Sequence, residues 1–511
     1  MQRRDFLADI ARLAALTATI PNDWRVITRA RWADDPFQLG VASGDPKPTS
    51  VMIWTRLAPR PLEPDGGMPG PRTAVSWEVA DDDGFRNVVQ KGRATAAPEL
   101  SYSIHVDVSG LAPDRWYFYR FTTADAASPV GRLRTAPAST DVRPLRFAFC
   151  SCQHYENGYY TAFRHMASEE IDLVAHLGDY IYEYGPIAGR VRTHSGLEVR
   201  MLDDYRRRYA QYKSDAMLQA AHARAPWLVT WDDHEVDNNY AAAGGENDME
   251  SIEQMRARRA AGYQAWWEHQ PVRVPRARSW ADLTITRTLD WGALARFWVL
   301  DGRQYRSDQA CGDGILKVPC GDWSDPARTM LGSVQERWLD RGLATSTSRW
   351  QVLANQTMLA TVDSGVGPDV VTSMDSWGGY PAAQRRLLDS IGRHARNRTV
   401  VITGDNHANW VNELHMRAPG NPMVATEFLG TSISSGGDGS ERSNFFTDAV
   451  AAENPHVKWQ NNRRGYVVCD VTPDAWRAEY RTVEYVTKPD APLQTPSRWR
   501  VQRGRAGVER E

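Results

Sequence analysis

Five apolar runs in this 511-residue chain each end in residues that ionise or bind metals. RFAFC leads into Ser151-Cys152-Gln153, LVAHL into Gly178-Asp179-Tyr180-Ile181-Tyr182, and WLVTW into Asp232-Asp233-His234-Glu235. WQVLA leads into Asn355, and VVIT into Gly404-Asp405-Asn406-His407. Ligands of α/β sheets sit beyond the carboxyl ends of the strands, so clusters repeated at strand ends point to one shared site. Carboxylates, an imidazole, a thiol, an amide oxygen and a phenol together suit more than one metal ion. A thiolate with a phenolate favours a transition metal such as ferric iron. The oxygen donors suit calcium, magnesium or manganese.

Each residue also has a plainer reading. Cys152 could be a buried thiol or pair with Cys150 or Cys311. Asp179 could cap a helix, and Asp232 to Glu235 could be a solvated loop, although four adjacent ionisable groups are costly to desolvate. A lone histidine is usually structural, but His407 follows Asp405 by two residues, which favours a ligand. His154, His165, His176, His194 and His222 have no such company and read as structural. Arg303 and Arg306 either bind phosphate through a guanidinium fork or form surface ion pairs.

The elements that must position these groups fall into two regions. Residues 36–138 contain short alternating β segments (SVMIWTRL, AVSWEVAD, YSIHVDVSGL, WYFYRFTT) between Pro- and Gly-rich turns, the pattern of a small β-sandwich. Residues 144–485 alternate strands with helices, for example YYTAFRHMASEE, QMRARRAAGYQAWWEH, SVQERWLDRGLAT and AAQRRLLDSIGRHARN, which argues for an α/β core. Residues 486–511 are polar and read as a tail or lid.

Taken in order, SCQ, GDYIYEY, WDDHEVDNN and GDNH (Ser151–Gln153, Gly178–Tyr184, Trp231–Asn239 and Gly404–His407) resemble the metallophosphoesterases, most closely the alkaline phosphatase D family. GVASGDP…SVMIWTRL is similar to that family's N-terminal module. The resemblance covers roughly residues 36–485. It implies an α/β (α+β) metallophosphoesterase core of two packed β-sheets flanked by helices, behind an N-terminal immunoglobulin- or fibronectin-like β-sandwich. By motif position, Cys152, Asp179, Tyr182 and His407 would surround a ferric ion, Fe3+. Asp179 would bridge to a second metal, Ca2+, held also by Asp233, Asn355 and Asp405, with Mn2+, Mg2+ and Zn2+ as alternative occupants. Tyr182's place in the set rests on the resemblance. His234 would stand beside the phosphate as proton donor. The implied activity is hydrolysis of phosphate mono- and diesters by a hydroxide that the metals generate. A phosphodiesterase or phospholipase D-like enzyme is the nearest alternative, and a catalytically inactive cell-surface binding protein the more distant one.

The resemblance implies small-molecule phosphate esters as partners, and composition adds no other class. A net charge of −2 offers no general footprint for nucleic acid or anionic membrane, and no apolar run is long enough to span a bilayer. A monomer is expected. No glycine-rich nucleotide fingerprint stands between a strand and a helix. Residues 1–34 read as a leader: Arg3-Arg4-Asp5-Phe6-Leu7 fits the twin-arginine export pattern, which implies a periplasmic or secreted protein. Of five cysteines, Cys311 and Cys320 bracket a glycine-rich loop and could bridge outside the cytoplasm, whereas Cys469 reads as buried and inert.

Overall fold

The computed structural model describes residues 32–68, 70–242, 244–245, 250–312, 314–416 and 420–511. Arg3 and Arg4, on which the export expectation rests, lie outside them.

Among the described residues the strands form sheets of ten, seven and five. At the heart of the first, Leu145–Cys150, Leu173–His176 and Trp227–Val229 run parallel. In the second, Ala295–Val299, Trp350–Ala354, Thr399–Thr403 and Met423–Leu429 run parallel. Strands covered on both faces read as continuous apolar runs, and alternation sorts their side chains between two cores. Phe147 and Phe149 face the layer between the sheets, with Phe297, Val352, Val400 and Ile402. Ala148 and Cys150 face outward, where Leu202–Lys213, Ala216–Arg224 and Ile252–His269 cover the first sheet. The last of these helices starts on a Ser251–Gln254 capping box, which satisfies otherwise free N–H groups. Gly332–Thr345 and Pro381–His394 cover the second sheet through Leu339, Leu343, Leu387 and Ile391. The expected pair of packed sheets flanked by helices is the architecture found.

The region 36–138 is not walled off from this core. Thr73–Ala80, Val88–Ala96, Trp116–Thr123 and two short strands form the five-stranded sheet. It packs Val75, Val79, Tyr119 and Phe121 against Val51 and Ile53. Those two belong to a second leaf, Val41–Lys47, Ser50–Arg56 and Ser103–Ser109, which extends the ten-stranded sheet. The junction is a parallel pairing of Gly44 with Trp227. A Cβ at Gly44 would fall 2.2 Å from the Pro271 carbonyl oxygen and 2.7 Å from that of Trp227, so only glycine lets the strands meet.

The stretch 486–511 is corrected: it is neither tail nor lid. Leu493–Gln502 pairs antiparallel with Ala475–Val483, and Val508–Arg510 closes the edge. Trp499 and Val501 alternate with Arg498 and Arg500 and drop into the core between the sheets, so the polar composition belongs to one face only. Cys311 and Cys320 are disulfide-bonded, and Cys150, Cys152 and Cys469 are free and buried.

Candidate active site

Four of the expected metal ligands hold left-handed backbone conformations: Cys152 at φ 59°, Asp179 at 53°, Asp405 at 63° and His407 at 58°. Such conformations cost L-residues roughly 1–2 kcal/mol each and cluster where the surroundings over-determine them, commonly at functional sites. Here they turn the chain back as soon as each strand ends, aiming successive side chains at one point. Gly178, at φ 106°, makes the tightest approach, because a Cβ there would lie 2.4 Å from Cβ of Asp232.

The side chains converge in three overlapping groups, each with its donor atoms within 4.8 Å of one another: Cys152, Asp179 and His407; Asp179, Asp233 and His234; and Asp232, Asp233 and Asp405. Tyr182 joins the first, its hydroxyl 2.9 Å from Asp179 Oδ2, 3.1 Å from His407 Nε2 and 2.7 Å from Ser435 Oγ. Asn355 stands apart. Its Nδ2 donates to the Thr357 carbonyl and its Oδ1 accepts from Trp377 Nε1 at 3.2 Å.

Electrostatics mark the site as a place of concentrated negative charge. Burial, reinforced by neighbouring carboxylates, pushes Asp179 and Asp405 well above the usual carboxylate range and Asp232 up to about 6. Burial also raises the Cys152 thiol, with Asp179 adding to it. Asp233 moves the other way, since Arg303 and His234 outweigh its burial. Burial alone would depress His234, but Glu183, Asp179 and Asp233 hold its ring well above the ordinary value. His407 falls to about 3 through burial and the nearby Arg464.

Several residues that the sequence left aside complete the site. Glu183 Oε2 accepts from His234 Nδ1 at 2.8 Å while its Oε1 accepts from the Asn238 N–H at 2.9 Å. Glu235 accepts the backbone N–H groups of Asp179, Tyr180 and Asp232 at 3.0, 2.6 and 2.7 Å, so one buried carboxylate ties two ligand-bearing loops together. Arg303 is fully buried, not a surface ion pair. Its Nη1 donates to both oxygens of Asp375 at 2.9 and 2.8 Å, its Nε donates to Asp232, and its Nη2 donates to Asp405 at 3.1 Å. Arg306 holds the same Asp375 at 2.7 Å. His154, read as structural, lies against Tyr182 with ring centroids 4.4 Å apart. Glu183 and Glu235 sit inside the motifs and could have been found there, whereas nothing around Asp375 signalled a role.

The groups meet a cavity of about 630 Å3, lined among others by Asp179, Asp233, His234, Asp375, Asp405 and His407. Asn355 does not line it. The residues fit metal ions by chemistry and by demand. A thiol, a phenol and an imidazole surround one carboxylate, and the remaining oxygens lie beside it. Asp179 Oδ1 and Asp232 Oδ2 are buried without a hydrogen-bond partner, although a buried carboxylate oxygen needs a donor or a cation.

The chain's resemblances agree with this geometry. The pattern described as PhoD-like phosphatase matches residues 147–480, and that of the PhoD-like phosphatase N-terminal domain matches residues 23–137. Alkaline phosphatase D of Bacillus subtilis (strain 168) is 46% identical over 521 residues, covering 99% of this chain and 89% of that protein. The solved structure of PhoD superposes with a TM-score of 0.91 at 48% identity, covering 94% of this chain and 93% of that one. Purple acid phosphatase from yellow lupin (Lupinus luteus) seeds shares the fold at a TM-score of 0.54 and 12% identity, over 92% of this chain and 75% of that one.

Proposed function

The chain belongs to the PhoD-like phosphatase family and is a hydrolase of phosphate esters, and we propose that it cleaves both mono- and diesters, with phosphorus seated at the Asp179–Asp233–His234 end of the cavity. The observation that carries this reading is the convergence of those side chains with Asp405 and His407 on a single cavity floor. Kinship with metallophosphoesterases implies metal ions. Cys152, Asp179, Tyr182 and His407 would hold a ferric ion. Asp179, Asp233 and Asp405 would hold calcium, with Asn355 joining only by sharing the oxygen it gives Trp377. When bound, such ions neutralise phosphate charge and lower the pKa of water.

The chain's own residues do the rest. Glu183 fixes the His234 ring through Nδ1, which leaves Nε2 as the nitrogen to protonate the departing oxygen, the arrangement general acid catalysis requires. Arg303 and Arg306 hold Asp375 and, through it, the carboxylate end of the cavity. Nothing in this apparatus demands a dianionic monoester. Twin-arginine export to the periplasm or exterior, action as a monomer and an alkaline working range belong to the same proposal. No helix among the described residues is long and apolar enough to cross a membrane.

Elemental analysis of the purified protein, run beside steady-state hydrolysis of matched chromogenic mono- and diesters, tests the reading. Iron with calcium and turnover of both esters is the expected result. Colourless, fully active protein containing only zinc refutes the metal assignment. A kcat/KM ratio between the two ester types beyond about 10³ refutes the breadth.

A further inference from the structure

The cavity is lined by two unlike sets of side chains. Beyond the carboxylates and histidines it has an apolar wall, Met358, Ala360, Val362, Trp410, Phe446 and Val450, whose members pack in one cluster. Trp410 packs edge-on against Phe446 with centroids 4.9 Å apart, and its Nε1 donates to Asn406 Oδ1 at 2.7 Å. This wall is thereby fastened to the loop that carries Asp405 and His407. Ile315, Leu316 and Phe445 continue it at the rim while remaining 69%, 42% and 77% exposed. Large apolar side chains held in water beside a reaction centre mark a binding surface.

The rim is tied at two points. The Cys311–Cys320 disulfide closes the segment that bears Ile315 and Leu316. Lys317 and Thr372 bond it through paired backbone contacts of 3.0 and 3.1 Å to the neighbouring loop. Among the described residues that line the cavity none is lysine or arginine, so the apolar wall offers no side-chain cation to a leaving group with further negative charge.

We propose that this half of the cavity is the alcohol-side subsite, and that it selects phosphate esters whose departing group is apolar and uncharged. The proposal rests on phosphorus sitting at Asp179, Asp233 and His234: these residues and the Trp410–Phe446 wall line one cavity, and the wall begins at Asn406, between Asp405 and His407, so it is within reach of the alcohol portion of an ester held there. Burying one methylene completely favours binding about fourfold. The wall covers an alkyl chain on one side, so each methylene should contribute about twofold. Four added methylenes then give about 16-fold.

The test is kcat/KM for ethyl, butyl and hexyl phosphate, whose alcohols are similar leaving groups, with the full-length enzyme. Hexyl should exceed ethyl by about 16-fold, and Phe445→Ser and Leu316→Ser should each reduce that ratio. A hexyl-to-ethyl ratio under about threefold overturns the subsite while ethyl turnover leaves the hydrolase reading standing. A ratio unchanged in both variants overturns it too, whatever happens to overall rate. Calorimetric binding of ethyl- and hexylphosphonate reads the wall without turnover. Equal affinities there count against the subsite, and an affinity ratio near 16 supports it.

Discussion

Replacing Glu183 with glutamine should lower kcat/KM by about 10- to 150-fold while leaving the fold intact. The buried carboxylate uses both oxygens, Oε2 for His234 Nδ1 at 2.8 Å and Oε1 for the Asn238 N–H at 2.9 Å. Glutamine offers one oxygen and one NH2, so whichever contact keeps the oxygen, the other faces donor to donor. If Asn238 keeps it, His234 loses the group that fixes its ring and favours its charged form. A hydrogen bond to a charged group contributes about 1.5–3 kcal/mol, and about 1.4 kcal/mol is tenfold in rate, which gives the stated range. The assay compares p-nitrophenyl phosphate with ethyl phosphate. A proton donor matters most to a poor leaving group, so the ethyl ester should suffer the larger loss. His234→Ala should cost about 10²–10⁴ in kcat, and adding Glu183→Gln to it should cost little more, because residues acting as one unit are not additive. Loss of less than threefold on ethyl phosphate, equal losses on both esters, or fully multiplicative effects in the double variant would each refute the pairing.

Two further outcomes follow from buried ionisable groups. Glu235→Gln opposes an NH2 to at least one of the N–H groups of Asp179, Tyr180 and Asp232; the urea midpoint should fall by the equivalent of about 1–3 kcal/mol and activity by tenfold or more, and an unchanged midpoint would show that the tie between the loops is not structural. His176 is fully buried, with burial depressing its pKa to about 3, whereas an unfolded histidine titrates near 6.5. Between those values the unfolded chain binds the extra proton, so stability falls as pH drops below about 6.5. From pH 7.5 to 4.5 the wild type should lose about 3 kcal/mol more than His176→Leu, measured by denaturant unfolding at both pH values; parallel losses would exclude His176 as a source of acid sensitivity.

The chain order already contained the strand ends. An apolar run followed by Gly-Asp or Asp-Asp-His is a local pattern, and a parallel sheet converts such patterns into one site wherever the strands stand side by side. Cys152, Asp179, Asp233, His234, Asp405 and His407 could therefore be named as candidates residue by residue, and the layering of two sheets between helices was legible too. Local composition misled where only one face of an element is polar. Residues 486–511 looked like a tail because Arg498 and Arg500 dominate the reading, although Trp499 and Val501 between them carry the strand into the core. What pairs across long separations was out of reach. Arg303 lies 71 residues from Asp232, 72 from Asp375 and 102 from Asp405, and no spacing rule links such positions. The apolar wall is equally nonlocal, assembled from Ile315, Met358 and Phe445 on separate loops and Trp410 on the strand Asn409–His415. The sequence by itself determined which residues could carry the chemistry, because strand periodicity and metal chemistry are local. Only the tertiary structure decided which charges neutralise one another, how His234 is oriented and which apolar side chains share its cavity, because those depend on distances that folding alone creates.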